Sequence, residues 1–222
     1  MSGRFAALIF DFDGVVIDSE YASNAYVAEL LTAEGHPTTP EQAMDNFMGL
    51  AGQAFHSAIE RWIGAPLPEG FEKAMQAQDE RAIAKGIEPV AGAPEFIAKL
   101  LETQPRAVAS SSSLRWIKAH LGHLGLERAF GDHIYSGREH VTRGKPAPDI
   151  YFHAARALDV PIERCAIIED SPVGVTAAVA SGAYVIGLVT GNHCASDHGE
   201  KILALGAHTL ARDYEEVGNL LR

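Results

Sequence analysis

The chain has 222 residues, 47% of them hydrophobic and 21% charged, a composition that suits a soluble globular fold and excludes a disordered one. Its 29 acids against 18 bases give a formal net charge of -11 with no Lys/Arg-rich run, so nucleic acid is not an expected partner. Apolar runs fall far short of the ~20 residues of a membrane helix, the Met1-Ser2-Gly3-Arg4-Phe5 start has no signal-peptide core, and Cys165 and Cys194 do not read as a disulfide framework, so no membrane and a reduced, cytoplasmic setting are expected.

The first predicted element is a strand over 6–10 that ends in Asp11-Phe12-Asp13-Gly14. Side chains two apart on an extended segment share a face, so Asp11 and Asp13 point one way while Phe12 packs the other. Such a pair divides labour, one carboxylate attacking and the other handling a proton. Free Asp, with a pKa of about 3.9, is ionised at neutral pH, and its attack on an anion requires a cation beside it.

Helical periodicity near 21–34, 40–47, 51–63 and 70–85, with no strand among them, predicts a helical insertion over 19–88. Its joints are Ile17-Asp18-Ser19-Glu20 and the turn-rich Gly86-Ile87-Glu88-Pro89-Val90-Ala91-Gly92. The remaining residues, 1–18 and 89–222, alternate predicted strands at 106–109, 165–168 and 184–189 with helices at 94–103, 114–124, 149–158 and 173–181. This predicts a doubly wound α/β fold with a parallel sheet, whose ligands bind beyond the carboxyl ends of the strands.

Polar clusters follow three of the strands. Ser110 and Ser111 open a four-serine run before a helix, where hydroxyls and free N–H groups suit phosphate oxygens, although Ser112 or Ser113 also serves as an N-cap. Lys145 stands in the proline-stiffened Lys145-Pro146-Ala147-Pro148-Asp149, a point charge for phosphate. Glu169 and Asp170 repeat the pattern of strand, then acids. So many oxygens crowded together favour a hard divalent ion, Mg²⁺, with Asp170 as direct ligand and Glu169 behind it on a metal-bound water.

These motifs resemble those of the haloacid dehalogenase-like hydrolases, from the first strand to about residue 190: Asp11-Phe12-Asp13-Gly14-Val15-Val16, Ser110, Lys145-Pro146-Ala147-Pro148-Asp149, and Glu169-Asp170-Ser171-Pro172-Val173-Gly174-Val175. The acid at Asp13 separates the chain from the dehalogenases themselves, and the insertion is similar to the small cap of β-phosphoglucomutases and sugar-phosphate phosphatases. The resemblance implies that Asp11 attacks phosphorus and forms an aspartyl-phosphate, and that Asp13 protonates the leaving group and then activates water. It also implies Mg²⁺ on the Asp11 carboxylate, the Asp13 carbonyl and Asp170, with Ser110 and Lys145 holding phosphate oxygens.

The mutases of that group carry a cap His and a cap Arg where this chain reads Tyr21-Ala22-Ser23-Asn24 and Met48-Gly49-Leu50-Ala51-Gly52-Gln53. Hydrolysis of a small phosphorylated metabolite, a sugar phosphate or sugar-acid phosphate, is therefore expected ahead of phosphoglucomutase-type transfer or a non-catalytic phospho-ligand binding module. Among the insertion's polar side chains Tyr21, Asn24, Gln53, His56, Arg61, Lys73 and Arg81, Gln53 is the leading candidate for reading substrate. The His193-Cys194 to His198 loop lacks zinc spacing and reads as solvated. Trp62 and Trp116 read as core anchors, and the chain is expected to be a monomer or weak dimer.

Overall fold

The computed structural model describes residues 4–100, 104–191, 193–194 and 196–222. Strand β1 (Ala7–Phe10) is buried throughout, with Ala7 and Ile9 in the apolar cluster on one side and Leu8 and Phe10 in the cluster on the other. A strand apolar on both faces needs helices on both, and the rest of the chain supplies them. In order follow α1 (Glu20–Ala33), α2 (Pro40–Phe47), α3 (Gly52–Ile63), α4 (Phe71–Lys85), α5 (Ala93–Lys99), β2 (Arg106–Ser110), α6 (Leu114–Leu124), α7 (Glu127–Phe130), β3 (Ile134–Ser136) and α8 (Asp149–Ala157). Then come β4 (Cys165–Glu169), α9 (Pro172–Ser181), β5 (Tyr184–Leu188), α10 (His198–Ala204), β6 (Thr209–Ala211) and α11 (Tyr214–Leu220).

The strands form one parallel sheet in the order β3-β2-β1-β4-β5-β6. Chain direction across the sheet reverses between β1 and β4, the position where doubly wound folds open a crevice. Phe10 of β1 is level with Val108 of β2 and Ile168 of β4. Asp11 and Glu169 therefore leave the sheet side by side, with Ser110 at the end of β2 on the other side of β1. Helices α8 and α9 cover the face carrying Ile9 and Ile167, while α5, α6 and α11 cover the face carrying Phe10 and Ile168.

Helices α1–α4 pack on one another around Val27, Leu31, Phe47, Ile59 and Phe71, an apolar cluster separate from the two that flank the sheet. Helix α2 begins with a capping box, Thr39 and Gln42 each satisfying the other's backbone N–H. The two chain crossings into this helical module run together: Asp18 N–H donates to Glu88 O at 2.9 Å and Val90 N–H to Val16 O at 3.0 Å.

The predicted helices of the insertion match the observed ones within a residue or two. Strands β3 and β6 and helices α7, α10 and α11 were not anticipated. Three residues are too few to display alternation, and the helices are of seven residues or fewer. The predicted helix at 94–103 ends at Lys99, and its last three positions lie outside the described residues, as do residues 1–3, Asn192 and Ala195. Among the described residues no helix is long and apolar enough to cross a membrane, and both cysteines are free.

Candidate active site

Asp11 and Lys145 define the centre. Lys145 Nζ donates to Asp11 Oδ1 and to Glu169 Oε1, each at 2.6 Å, from a side chain only 3% exposed. Burial opposes a charged lysine, but the two carboxylates outweigh it and raise its pKa above the ordinary value. Glu169 accepts further from Tyr151 OH at 2.6 Å, from the N–H groups of Asp170 and Ser171 at 3.0 and 3.1 Å, and from Ser171 Oγ at 3.3 Å. Both its oxygens are thus committed to fixing Lys145 and the start of α9, where Ser171 is the N-cap.

Asp170 differs. Its two oxygens are buried and accept no well-aligned hydrogen bond, the nearest donor being His193 Nε2 at 3.0 Å from Oδ2. Burial, with Glu169 beside it, raises the Asp170 pKa well above the usual carboxylate range, and burial does the same to Asp11, with Lys145 opposing. Carboxylate oxygens of Asp11, Glu169 and Asp170 lie within 4.8 Å of one another. Orphaned, crowded, hard oxygen donors suit a divalent cation such as Mg²⁺, which would relieve the repulsion among them.

Backbone approach makes this crowding attainable. Gly14 has φ of +76°, and a methyl group there would overlap the Asp170 carboxylate; one on Gly174 would overlap Glu169. The Gly14 turn also directs Asp13 toward the helical module. Its Oδ1 accepts from Ser19 Oγ at 2.7 Å and Trp116 Nε1 at 3.0 Å, and its Oδ2 accepts from Ser112 Oγ at 2.7 Å, with Ser110 Oγ at 3.4 Å. Ser110 is buried at the end of β2, Ser111 lines the pocket, and Ser113 caps α6.

Above this cluster lies a pocket of about 520 Å³ between the sheet's strand ends and the helical module. The predicted residues Asp11, Asp13, Ser110, Ser111 and Lys145 line it, and Glu169 and Asp170 lie directly beneath. Gln53 does not: it is exposed and donates to Ser57 Oγ at 3.2 Å. Of the other polar candidates on the module, Asn24 and His56 line the pocket, whereas Tyr21, Arg61, Lys73 and Arg81 do not. Sequence reasoning missed Glu20, whose carboxylate accepts from Asn24 Nδ2 at 3.1 Å and whose pKa is raised well above the ordinary value by burial, then by Asp170 and Asp13.

Two other expectations are corrected. Trp116 is not merely a core anchor, since its indole N–H bonds Asp13. The loop from His193 to His198 is not solvated at its histidines: His193 and His198 are buried, and His198 Nε2 donates to the Asp170 carbonyl at 2.7 Å. Both lie under the metal-suited cluster because β5 ends beside β4, a relation that spacing in the sequence does not display.

A family model described as haloacid dehalogenase-like hydrolase matches residues 5–182. The chain is 28% identical over 202 residues to 6-phosphogluconate phosphatase of Escherichia coli, covering 90% of this chain and 87% of that one. Fructose-1-phosphate phosphatase YqaB of the same organism is 30% identical over 183 residues, 82% of this chain and 95% of that one. A crystal structure of a conserved haloacid dehalogenase-like protein from Agrobacterium tumefaciens superposes with a TM-score of 0.85 at 28% identity, over 97% of each chain. Strand-end acids, lysine and matched length agree, and the chain belongs to the haloacid dehalogenase-like hydrolase family.

Proposed function

We propose that this chain is a Mg²⁺-dependent phosphatase of a small phosphorylated metabolite, a sugar phosphate or sugar-acid phosphate, with α1–α4 as a cap over the site. The observation that carries the reading is the gathering of Asp11, Lys145 and Asp170 at adjoining strand ends beneath one pocket. Relatives named as phosphatases of phosphorylated sugars support it. A cytoplasmic setting and a monomeric or weakly dimeric state belong to the same proposal.

Lys145 holds Asp11 Oδ1 and leaves Oδ2 for in-line attack on phosphorus. The Asp11–phosphorus bond forms as the ester P–O bond breaks, and Asp13 gives its proton to the departing alkoxide. Water then attacks the aspartyl-phosphate, returning a proton to Asp13 and freeing the Asp11 carboxylate and inorganic phosphate. The Asp11 carboxylate, the Asp13 carbonyl and Asp170 would hold Mg²⁺, which when bound would supply the charge neutralisation that lets an anion approach a carboxylate. Ser110, Ser111 and Lys145 hold the phosphoryl oxygens as charge shifts between them.

Phosphate release from p-nitrophenyl phosphate and a sugar-phosphate panel, with and without Mg²⁺, tests the reading. Activity should vanish on chelation and fall at least about a thousandfold in Asp11→Asn, because the amide is no nucleophile. A folded protein that releases no phosphate from any of these esters, or an Asp11→Asn variant that retains turnover, overturns it.

A further inference from the structure

The charge of the pocket wall narrows the substrate class. Helices α1–α4 contribute three carboxylates to the lining, Glu20, Glu72 and Asp79, and among the described residues they contribute no lysine or arginine. Their one basic group is His56, whose Nδ1 lies 3.5 Å from Glu72 Oε1. The basic side chains these helices do carry, such as Arg61, Lys73 and Arg81, stand away from the pocket.

Both remaining cations belong to the phosphate end. Lys145 is engaged by Asp11 and Glu169, and Arg138 Nε donates to the carbonyl of Ser111 at 3.1 Å, against the serine run that follows β2. Glu20 and Asn24, hydrogen-bonded to each other, also line the pocket and present an acceptor and an amide. Phe47, Phe55 and Met75 complete the wall with apolar surface. Carboxylates above an apolar floor suit hydroxyl donors and C–H faces, and they repel a second anion.

On the phosphatase reading above, we propose that this pocket selects phosphate monoesters whose leaving group is an uncharged polyol or sugar, and discriminates against sugar-acid phosphates and bisphosphates, with Glu72 and Asp79 as the charges that repel a second anion and Glu20 as a partner for sugar hydroxyls. The sugar-acid arm of the proposed substrate class is thereby excluded. Exposed Glu72 and Asp79 act through water, so the discrimination weakens with salt.

The test compares kcat/KM for sorbitol 6-phosphate, 6-phosphogluconate and fructose 1,6-bisphosphate, with p-nitrophenyl phosphate as the control. Sorbitol 6-phosphate should be preferred by about tenfold or more at low salt. Glu72→Gln, and separately Asp79→Asn, should narrow that gap by raising turnover of 6-phosphogluconate. Equal or reversed preference overturns the proposal, as does a gap unmoved by either variant and by salt, or a preference for 6-phosphogluconate that Arg138→Gln abolishes. Phosphate release from any of these esters decides the phosphatase reading, independently of their ranking. Calorimetric ranking of the three sugar esters on Asp11→Asn with Mg²⁺ then decides the selectivity even if turnover is lacking.

Discussion

At the scale of single residues, the site's first contacts follow from local chemistry, but the groups that orient them do not. Asp11, Asp13, Lys145 and Asp170 were legible because each stands just past an apolar run or within a proline-stiffened loop. His193 and His198 were not, since burial of that loop is decided by how β5 and α10 pack beside β4. The two rings grip Asp170 at separate points, His193 at its carboxylate and His198 at its main-chain carbonyl. A ligand carboxylate otherwise lacking partners depends on such contacts for its direction, and losing one typically weakens metal binding about 10–100-fold. His193→Ala should therefore raise the Mg²⁺ dissociation constant by that factor in calorimetry on the free enzyme, with His193→Asn intermediate. An unchanged constant would leave His193 with a packing role only.

Among the elements, helix α6 joins Asp13, the acid of the proposed mechanism, to the module. Trp116, His120 and His123 recur at intervals of three or four residues and so lie along one stripe. Trp116 bonds Asp13, and His123 Nε2 meets the Ile83 carbonyl of α4 at 2.8 Å, while Arg115 makes a two-pronged ion pair with Glu80. The spacing was visible in the sequence, but not the identity of the surfaces at either end. Between them His120 is fully buried, stacks edge-on against Trp116, and has no hydrogen-bond partner on either ring nitrogen. Burial lowers its pKa from the ordinary 6.5. Its neutral form is thus favoured by folding, so the stability this gives is present above pH 6.5 and is lost as pH falls below it through the depressed folded value. His120→Phe keeps the ring contact and removes two unpartnered polar atoms. It should raise stability by about 1 kcal/mol at neutral pH. Between pH 7.5 and 5 it should also flatten the acid-side decline in Tm, which scanning calorimetry would register.

For the molecule as a whole, two apolar assemblies of unequal size are joined by a narrow waist. The sheet and its covering helices share clusters on both faces, whereas α1–α4 enclose only a small one around Leu31 and Ile59. The fold class and the boundaries of the inserted helices were readable because long periodic segments carry their own signal. The edge strands β3 and β6 were not, because three residues acquire strand form only from the neighbour they pair with. Contacts across the seam are mainly polar and exposed, such as Lys201 with Asp45 at 3.3 Å, besides the paired crossings at Asp18–Glu88 and Val16–Val90. Exposed ion pairs couple such units weakly, so the module should open without the sheet. Ile59 is fully buried in the module and is not itself part of the pocket lining. Replacing it by alanine removes about 2–5 kcal/mol of packing. Native-state hydrogen exchange on Ile59→Ala should show that loss in the amides of α1–α4, while the slowest amides of β1 and β4 keep their wild-type protection. An equal fall in both sets would mean that the module and sheet unfold as one, and that the pocket between them opens only by unfolding the sheet as well.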